Sequence, residues 1–200
     1  MTISVLIITL LTFESPSPIP AKHKSLPEIS VENCWYLKKA TDEKRKKALA
    51  VAKAIYNVEE AQKIPDQMRG MSLAAACLES AFNPKALGDR RFSKSKKKPM
   101  AVGAFQLWPW YERAYDVDRT DPVSSASAWL RHIKRQVPGI KRKCKHRTLK
   151  KVWVAAWVTG IRYKKPAGRC NERPKHYKFF RKIRKIYEAQ TSKSLTILGK

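Results

Sequence analysis

One stretch constrains this chain more than any other: Leu73-Ala-Ala-Ala-Cys-Leu-Glu-Ser-Ala-Phe-Asn-Pro84, an Ala-rich apolar run with a single carboxylate, Glu79, followed by a break. The spacing of Met68, Met71, Ala75 and Leu78 predicts a helix that begins near Pro65, where proline suits a first-turn position and Asp66 stands beside it. Asn83-Pro84 is expected to stop it, because proline disfavours the α conformation in the residue before it. Burial and the negative end of a helix dipole both favour the proton-bearing form of a carboxyl group. A glycosidase needs such an acid to protonate a departing glycosidic oxygen. By itself this placement leaves a paired or surface glutamate the stronger reading of Glu79, with a catalytic acid as the alternative.

The surrounding sequence predicts more helices. From Asn33 to Ala61 apolar residues recur near helical spacing at Leu49, Ala52, Ile55 and Tyr56, as expected for a surface-packed helix or helix pair. Asp121-Pro122 reads as an N-cap and first-turn pair opening a helix through Ala126, Trp129, Leu130 and Ile133. Thr148 starts another through Val152, Ala155, Ala156 and Trp157, and a last basic helix spans His176 to Ala189. Residues 85–102, rich in Gly, Lys and Arg without periodicity, read as an exposed hairpin or loop. The expected fold class is α+β, mostly α, with a small β element beside the acid-bearing helix.

Two hundred residues suit one compact catalytic unit with a leader or tail. Apolar residues make up 43%, too much burial capacity for a disordered basic tail protein. The apolar run from Met1 to Phe13 has the length of a signal-peptide core and is too short for a comfortable membrane span; a buried strand or short anchor is the alternative. With the Ser15–Pro20 linker it makes residues 1–30 a leader, 31–190 the domain and 191–200 a basic tail, in an exported protein. Cys34, Cys77, Cys144 and Cys170 fit two disulfides in an oxidising compartment, with three pairings open and free buried thiols as the alternative. Their spacing matches no zinc pattern, so no metal or other cofactor is expected. By its position two residues from Glu79, about 200° round a helix, Cys77 points away from the acid.

The motif order carries a resemblance. Glu79-Ser80-x-Phe82-Asn83-Pro84-x-Ala86-x-Gly88, Gly103-Ala104-Phe105-Gln106-Leu107-Trp108-Pro109, Asp121-Pro122 and Ala155-Ala156-Trp157-Val158-Thr159-Gly160 together resemble the soluble lytic transglycosylase domain of the goose-type lysozyme superfamily, over roughly residues 65–165. The resemblance implies a lysozyme-like domain that cleaves peptidoglycan between N-acetylmuramic acid and N-acetylglucosamine. Glu79 would serve as both acid and base, giving a 1,6-anhydro product. It implies that Ser80 hydrogen-bonds near the acid and that Gln106 lines the sugar groove. Phe105, Trp157 and Tyr163 complete the candidate substrate-binding set. The third motif departs from the family's Ala-Tyr-Asn-x-Gly, since Trp157 and Val158 stand where Tyr and Asn would fall; Tyr163 and Asn171 are the candidate replacements. The basic insert between Gly88 and Gly103 is longer than the family's short turn.

Flat indole rings suit the C–H faces of pyranoses, but Trp129 and Trp153, on helical stripes, are expected in the core, whereas Trp108 and Trp157 fit either role. His23, His132, His146 and His176 show no ligand spacing and are expected to be exposed or structural. Forty-three Lys and Arg against 16 Asp and Glu give a formal charge of +27, which attracts polyanions without naming one. Glycan strands and anionic wall polymers are the expected partners, with no specific nucleic acid. Two rival readings stand beside the transglycosylase. One is a goose-type lysozyme that hydrolyses the same bond, with Asp89, Asp116 or Asp118 positioning water; the other is a non-enzymatic cationic binder of wall, membrane or nucleic acid, whose lysine runs are the functional part.

Overall fold

The computed structural model describes residues 23–89, 99–143, 148–160 and 174–198. The N-terminal apolar run, the Ser/Pro linker, Cys144, His146, Tyr163, Cys170 and Asn171 lie outside the described residues. The described chain is mostly helical with one two-stranded antiparallel sheet. Its order is α1 (Leu26–Asn33), α2 (Asp42–Ala61), α3 (Met71–Ser80), β1 (Leu87–Gly88), β2 (Ala101–Val102), α4 (Trp110–Tyr115), α5 (Pro122–Lys143), α6 (Leu149–Gly160) and α7 (Pro174–Leu198).

α1, a helix that begins in the segment expected to be leader and linker, arises from a capping box. Ser25 accepts from the Glu28 amide while the Glu28 carboxylate accepts from the Ser25 amide, and Pro27 occupies the first turn. Leu26 and Ile29 are buried, so the core extends into the segment expected to be leader and linker. The helix pair expected over 33–61 resolves into the last residue of α1, a 3-10 turn at Trp35–Leu37, and α2, opened by Thr41, whose side chain accepts from the Lys44 amide. α7 runs past the expected Ala189 end to Leu198. The Asp121 cap of α5 is present, with Oδ2 accepting from the Ser124 amide at 2.6 Å. Thr148 precedes α6 and its carbonyl takes the Val152 amide.

α3 lies at the centre, against α1, α2 and α7, while α5 packs on α2 and α6. Every residue from Met71 to Cys77 is buried. A helix enclosed on all sides exposes no face to water, so its end groups have to find protein partners. The helix also starts later than expected. Asp66–Met68 forms a separate 3-10 turn, and Gly70, at φ 88°, turns the chain into α3 through a left-handed conformation that glycine adopts without strain. Gly70 has no side chain with which to cap the helix. The partner comes from α2: the Glu59 carboxylate accepts from the Gly70 amide at 2.6 Å, the Ser72 amide at 2.8 Å and the Ser72 hydroxyl.

Cys34, just past α1, is joined by a disulfide to Cys77 on α3, closing a 43-residue separation. In the chain-entropy account a loop of this length raises folding stability by about 4 kcal/mol. Of the bonds the sequence left open, Cys34–Cys77 is formed, while Cys144 and Cys170 lie outside the described residues. Cys77 is fully buried while Glu79 is partly exposed, in keeping with their angular separation on the helix.

Glu59 is completely buried, and burial raises its carboxyl above the ordinary value of 4.5 despite the three donors that favour the anion. The unfolded chain therefore ionises first, so the stability that Glu59 contributes is full below the unfolded value and falls as pH rises through the folded one. Glu59→Gln removes this titration. The melting temperature of the wild type minus that of Glu59→Gln is expected to decrease as pH is raised from about 4 towards neutrality. A difference that does not change with pH contradicts this electrostatic account.

Candidate active site

The end of α3 is made by two consecutive left-handed residues, Ala81 at φ 55° and Phe82 at φ 61°. The Phe82 amide bonds back to the Ala76 carbonyl and the Ala81 amide to that of Cys77, closing the helix. Phe82 is buried to 1% exposure, and drawing that ring inward stabilises a backbone form that costs a non-glycine residue roughly 1–2 kcal/mol. The helix thus stops three residues before Asn83, and Asn83-Pro84 is not its terminator. Asn83 instead shapes the following turn, its side-chain oxygen accepting from the Lys85 amide at 3.0 Å.

Glu79 sits on the last turn of α3, partly exposed, where the preceding turns are enclosed. Its neighbour Ser80 accepts from the Asn83 amide at 3.1 Å, and its hydroxyl approaches the Ala104 carbonyl at 2.8 Å. Ser80 therefore joins the first motif to the second across 24 residues of sequence. It acts as a clamp, with its hydroxyl committed to backbone.

The second motif is a tight loop closed by reciprocal bonds between Val102 and Leu107, at 3.0 and 2.9 Å. Within it Gln106 takes φ 50°, and its Nε2 donates to the Ala86 carbonyl at 3.2 Å and the Gly103 carbonyl at 3.0 Å. The amide nitrogen expected to face a sugar thus holds the hairpin together. β1 and β2 pair Leu87 with Val102 and Gly88 with Ala101, which matches the expected β element; contrary to an exposed hairpin, Ala101 and Val102 are buried.

The motif glycines have separate physical reasons. A Cβ on Gly88 would lie 2.1 Å from the Gln106 side-chain oxygen, so Gly88 makes room for the folded-back amide. Gly103 has φ 83° and a Cβ there would meet the Arg119 carbonyl oxygen at 1.8 Å. Arg119 went unremarked in the sequence, yet it braces the whole element. Its Nη1 donates to the carbonyls of Met100 and Leu107, and its Nε pairs with Glu112 at 2.7 Å. Glu59 was also missed, although it falls in line with Ala48, Ala52 and Ile55 on the buried stripe of α2. A carboxylate on an apolar stripe signals a partner group that needs it.

Two aromatic members of the predicted substrate set, Phe105 and Trp157, lie elsewhere. Phe105 is 4% exposed and Trp157 1%; they flank Trp129, with ring centroids 5.1 and 5.7 Å away. Three rings packed so closely form core, which leaves neither Phe105 nor Trp157 a free face for a sugar. Trp129 and Trp153 are buried as expected. Trp108 is partly exposed and its indole N–H donates to Asp89 at 3.2 Å, tying the ends of the two motifs together. Asp118, another of the rival reading's carboxylates, is held below its ordinary range by the Thr120 hydroxyl and amide and closes a local turn.

His132 is buried among Trp110, Tyr111 and Tyr115, with Nδ1 3.0 Å from the Tyr115 hydroxyl. Burial, then the Arg135 charge, pushes its imidazole down to about 4, so its role is that of a neutral packing group. Among the described residues no cluster of His, Cys, Asp or Glu is arranged to hold a metal ion, and no helix is long and apolar enough to cross a membrane. A cavity of about 550 Å³ opens between α1 and the start of α2, lined by Val31, Leu37, Leu49, Glu32, Asp42 and Lys46 among others. It shares no residue with the motifs, so cavity volume and motif chemistry point to different places. The motif end of α3 is the candidate site, because there a partly exposed carboxylate stands on a helix end that Ser80 ties to the Gly103–Gln106 loop. No family model, no curated protein and no solved structure matches the chain.

Gly88→Ala is expected to push the Gln106 amide off its two carbonyl partners and lower stability by about 1–2 kcal/mol. In a Gln106→Ala background the same change should cost much less, since the obstructing oxygen is gone. Denaturant titration of the four proteins checks this, and strictly additive effects contradict the proposed fit.

Proposed function

We propose that this chain is a peptidoglycan lytic transglycosylase with a lysozyme-like domain, and that Glu79 is its catalytic acid and base. The single observation carrying the proposal is the Ser80 to Ala104 hydrogen bond of 2.8 Å. It joins the acid-bearing helix end to the Gly103–Gln106 loop, so two strings that resemble one family's motifs are also one physical unit. The small antiparallel sheet directly after the acid-bearing helix supports the same reading. So does the reciprocal fit of Gly88 and Gln106.

In this reading Glu79 donates its proton to the oxygen between N-acetylmuramic acid and N-acetylglucosamine. The glycosidic bond breaks with its electron pair going to that oxygen, and the N-acetyl group of the muramic residue stabilises the anomeric carbon. The ionised Glu79 then takes the proton of the same sugar's C6 hydroxyl, whose oxygen closes on the anomeric carbon to give the 1,6-anhydro ring. One carboxyl serves both half-steps, a departure from the two-carboxylate arrangement of most glycosidases. Ser80 and Gln106 act by fixing the loop beside the acid. The basic surface supplies attraction to anionic wall material at long range, screened within about 8–10 Å at physiological salt.

Glu79→Gln keeps the side-chain shape and removes the proton. Wall lysis by this variant is expected to fall on the order of 10²–10⁴-fold, with a stability change within about 0.5 kcal/mol because the site is partly exposed. Turbidity clearing of purified walls and thermal melts on the same samples check both numbers. A variant that melts normally and retains more than about a tenth of wild-type lysis, above the range that general acid–base help supplies, contradicts the assignment of Glu79.

A further inference from the structure

The stretch from Trp35 to Lys47 is exposed at every position except Leu37 and Ala40. Trp35 is 56% exposed and Tyr36 49%, and the two rings touch each other. They are not loose. Cys34 on one side is fully buried and held by the disulfide to α3, and Leu37 on the other side is buried in the core. Arg45 adds a brace from α2, donating to the carbonyls of Leu37 and Lys38 at 3.3 and 2.8 Å. The 3-10 turn is thus fixed at both ends and displays its aromatic pair outward. Lys38 and Lys39 follow at once, and Lys44, Lys46 and Lys47 stand exposed on the opening turns of α2, against only Asp42 and Glu43 in the same stretch.

We infer that this turn is a docking surface for an anionic lipid bilayer, with Trp35 and Tyr36 seated at headgroup depth and the lysines on acidic headgroups. Aromatic rings with one polar edge favour the membrane interface, and basic side chains beside them gain from the negative surface potential. The geometry disfavours a sugar strand or a nucleic-acid base. The two rings pack edge to face, at 69° and 5.1 Å between centroids, so they offer no common platform for stacking. Among the described residues, neither ring lines the neighbouring cavity. A broad, laterally mobile anionic surface requires neither a platform nor a groove. The inference stands independently of the catalytic reading, since it uses no residue of α3's end or of the hairpin.

Co-sedimentation of the full chain with phosphatidylcholine vesicles, with and without phosphatidylglycerol, tests it, alongside binding to purified peptidoglycan walls. The wild type is expected to partition onto the phosphatidylglycerol vesicles and to leave them at high salt. Trp35→Ser/Tyr36→Ser and Lys38→Glu/Lys39→Glu are each expected to weaken that partition about tenfold or more, with wall binding, to which the whole basic surface contributes, weakened far less. The lysine variant alters only exposed side chains, so it carries the test should the aromatic variant melt early. Vesicle binding that is unchanged in both variants overturns the inference. An equal loss of vesicle and wall binding also overturns it, because it assigns the turn to a polyanion in general.

Discussion

The carboxyl group of Glu59 is the interaction on which the arrangement rests. α3 is buried from Met71 to Cys77, and a helix in that position brings its unpaired N-terminal amides into the core, where water cannot serve them. Leaving one such donor unsatisfied costs about 1–3 kcal/mol. Glu59 takes the Gly70 and Ser72 amides and the Ser72 hydroxyl from the side of α2, so one residue caps the central helix and locks two helices together. Buried charge without such partners would be far more expensive than the cap is worth.

The opposite end of α3 is held by a different device. Phe82 is buried, Ala81 and Phe82 turn the chain through left-handed conformations, and Ser80 reaches the Ala104 carbonyl. With the disulfide from Cys77 to Cys34 between them, the cap and the clamp leave the helix little freedom to slide or rotate. Glu79 is the partly exposed carboxylate on this constrained element. A proton-transfer group has to be held within hydrogen-bond reach of its target, and a helix fixed at both ends is a way to hold it. The hairpin beside it is stabilised by its own contacts, with Arg119 on two carbonyls and the Gln106 amide on two more.

Helical periodicity and proline or threonine punctuation were legible where a cap and an apolar stripe coincided. α5 and α6 begin where Asp121 and Thr148 announce them, and Ala52 and Ile55 mark the buried face of α2. The β element was legible from its lack of period and its glycines, but the burial of Ala101 and Val102 was not, because a two-residue strand is too short for alternation to register. The start of α3 was misread because Pro65 is a good first-turn residue, and only the left-handed Gly70 reveals the break. Of the predicted groove residues, Phe105 and Trp157 fell to the core for a reason no local pattern carries: both pack on Trp129 from a third element. Glu59 escaped notice because its neighbour Glu60 and the lysines of α2 make it look like one more charge on a solvated helix.

The proposed chemistry rests on one claim, that the bond between N-acetylmuramic acid and N-acetylglucosamine is broken with the muramic residue's own C6 hydroxyl as the nucleophile. Mass spectrometry of the muropeptides released from purified peptidoglycan by the full chain tests this most directly. The account predicts muramic acid in the 1,6-anhydro form, lacking the mass of one water. Muramic acid released only with an ordinary reducing end would contradict it in favour of hydrolysis, and no release at all from walls that bind the protein would contradict the enzymatic reading itself.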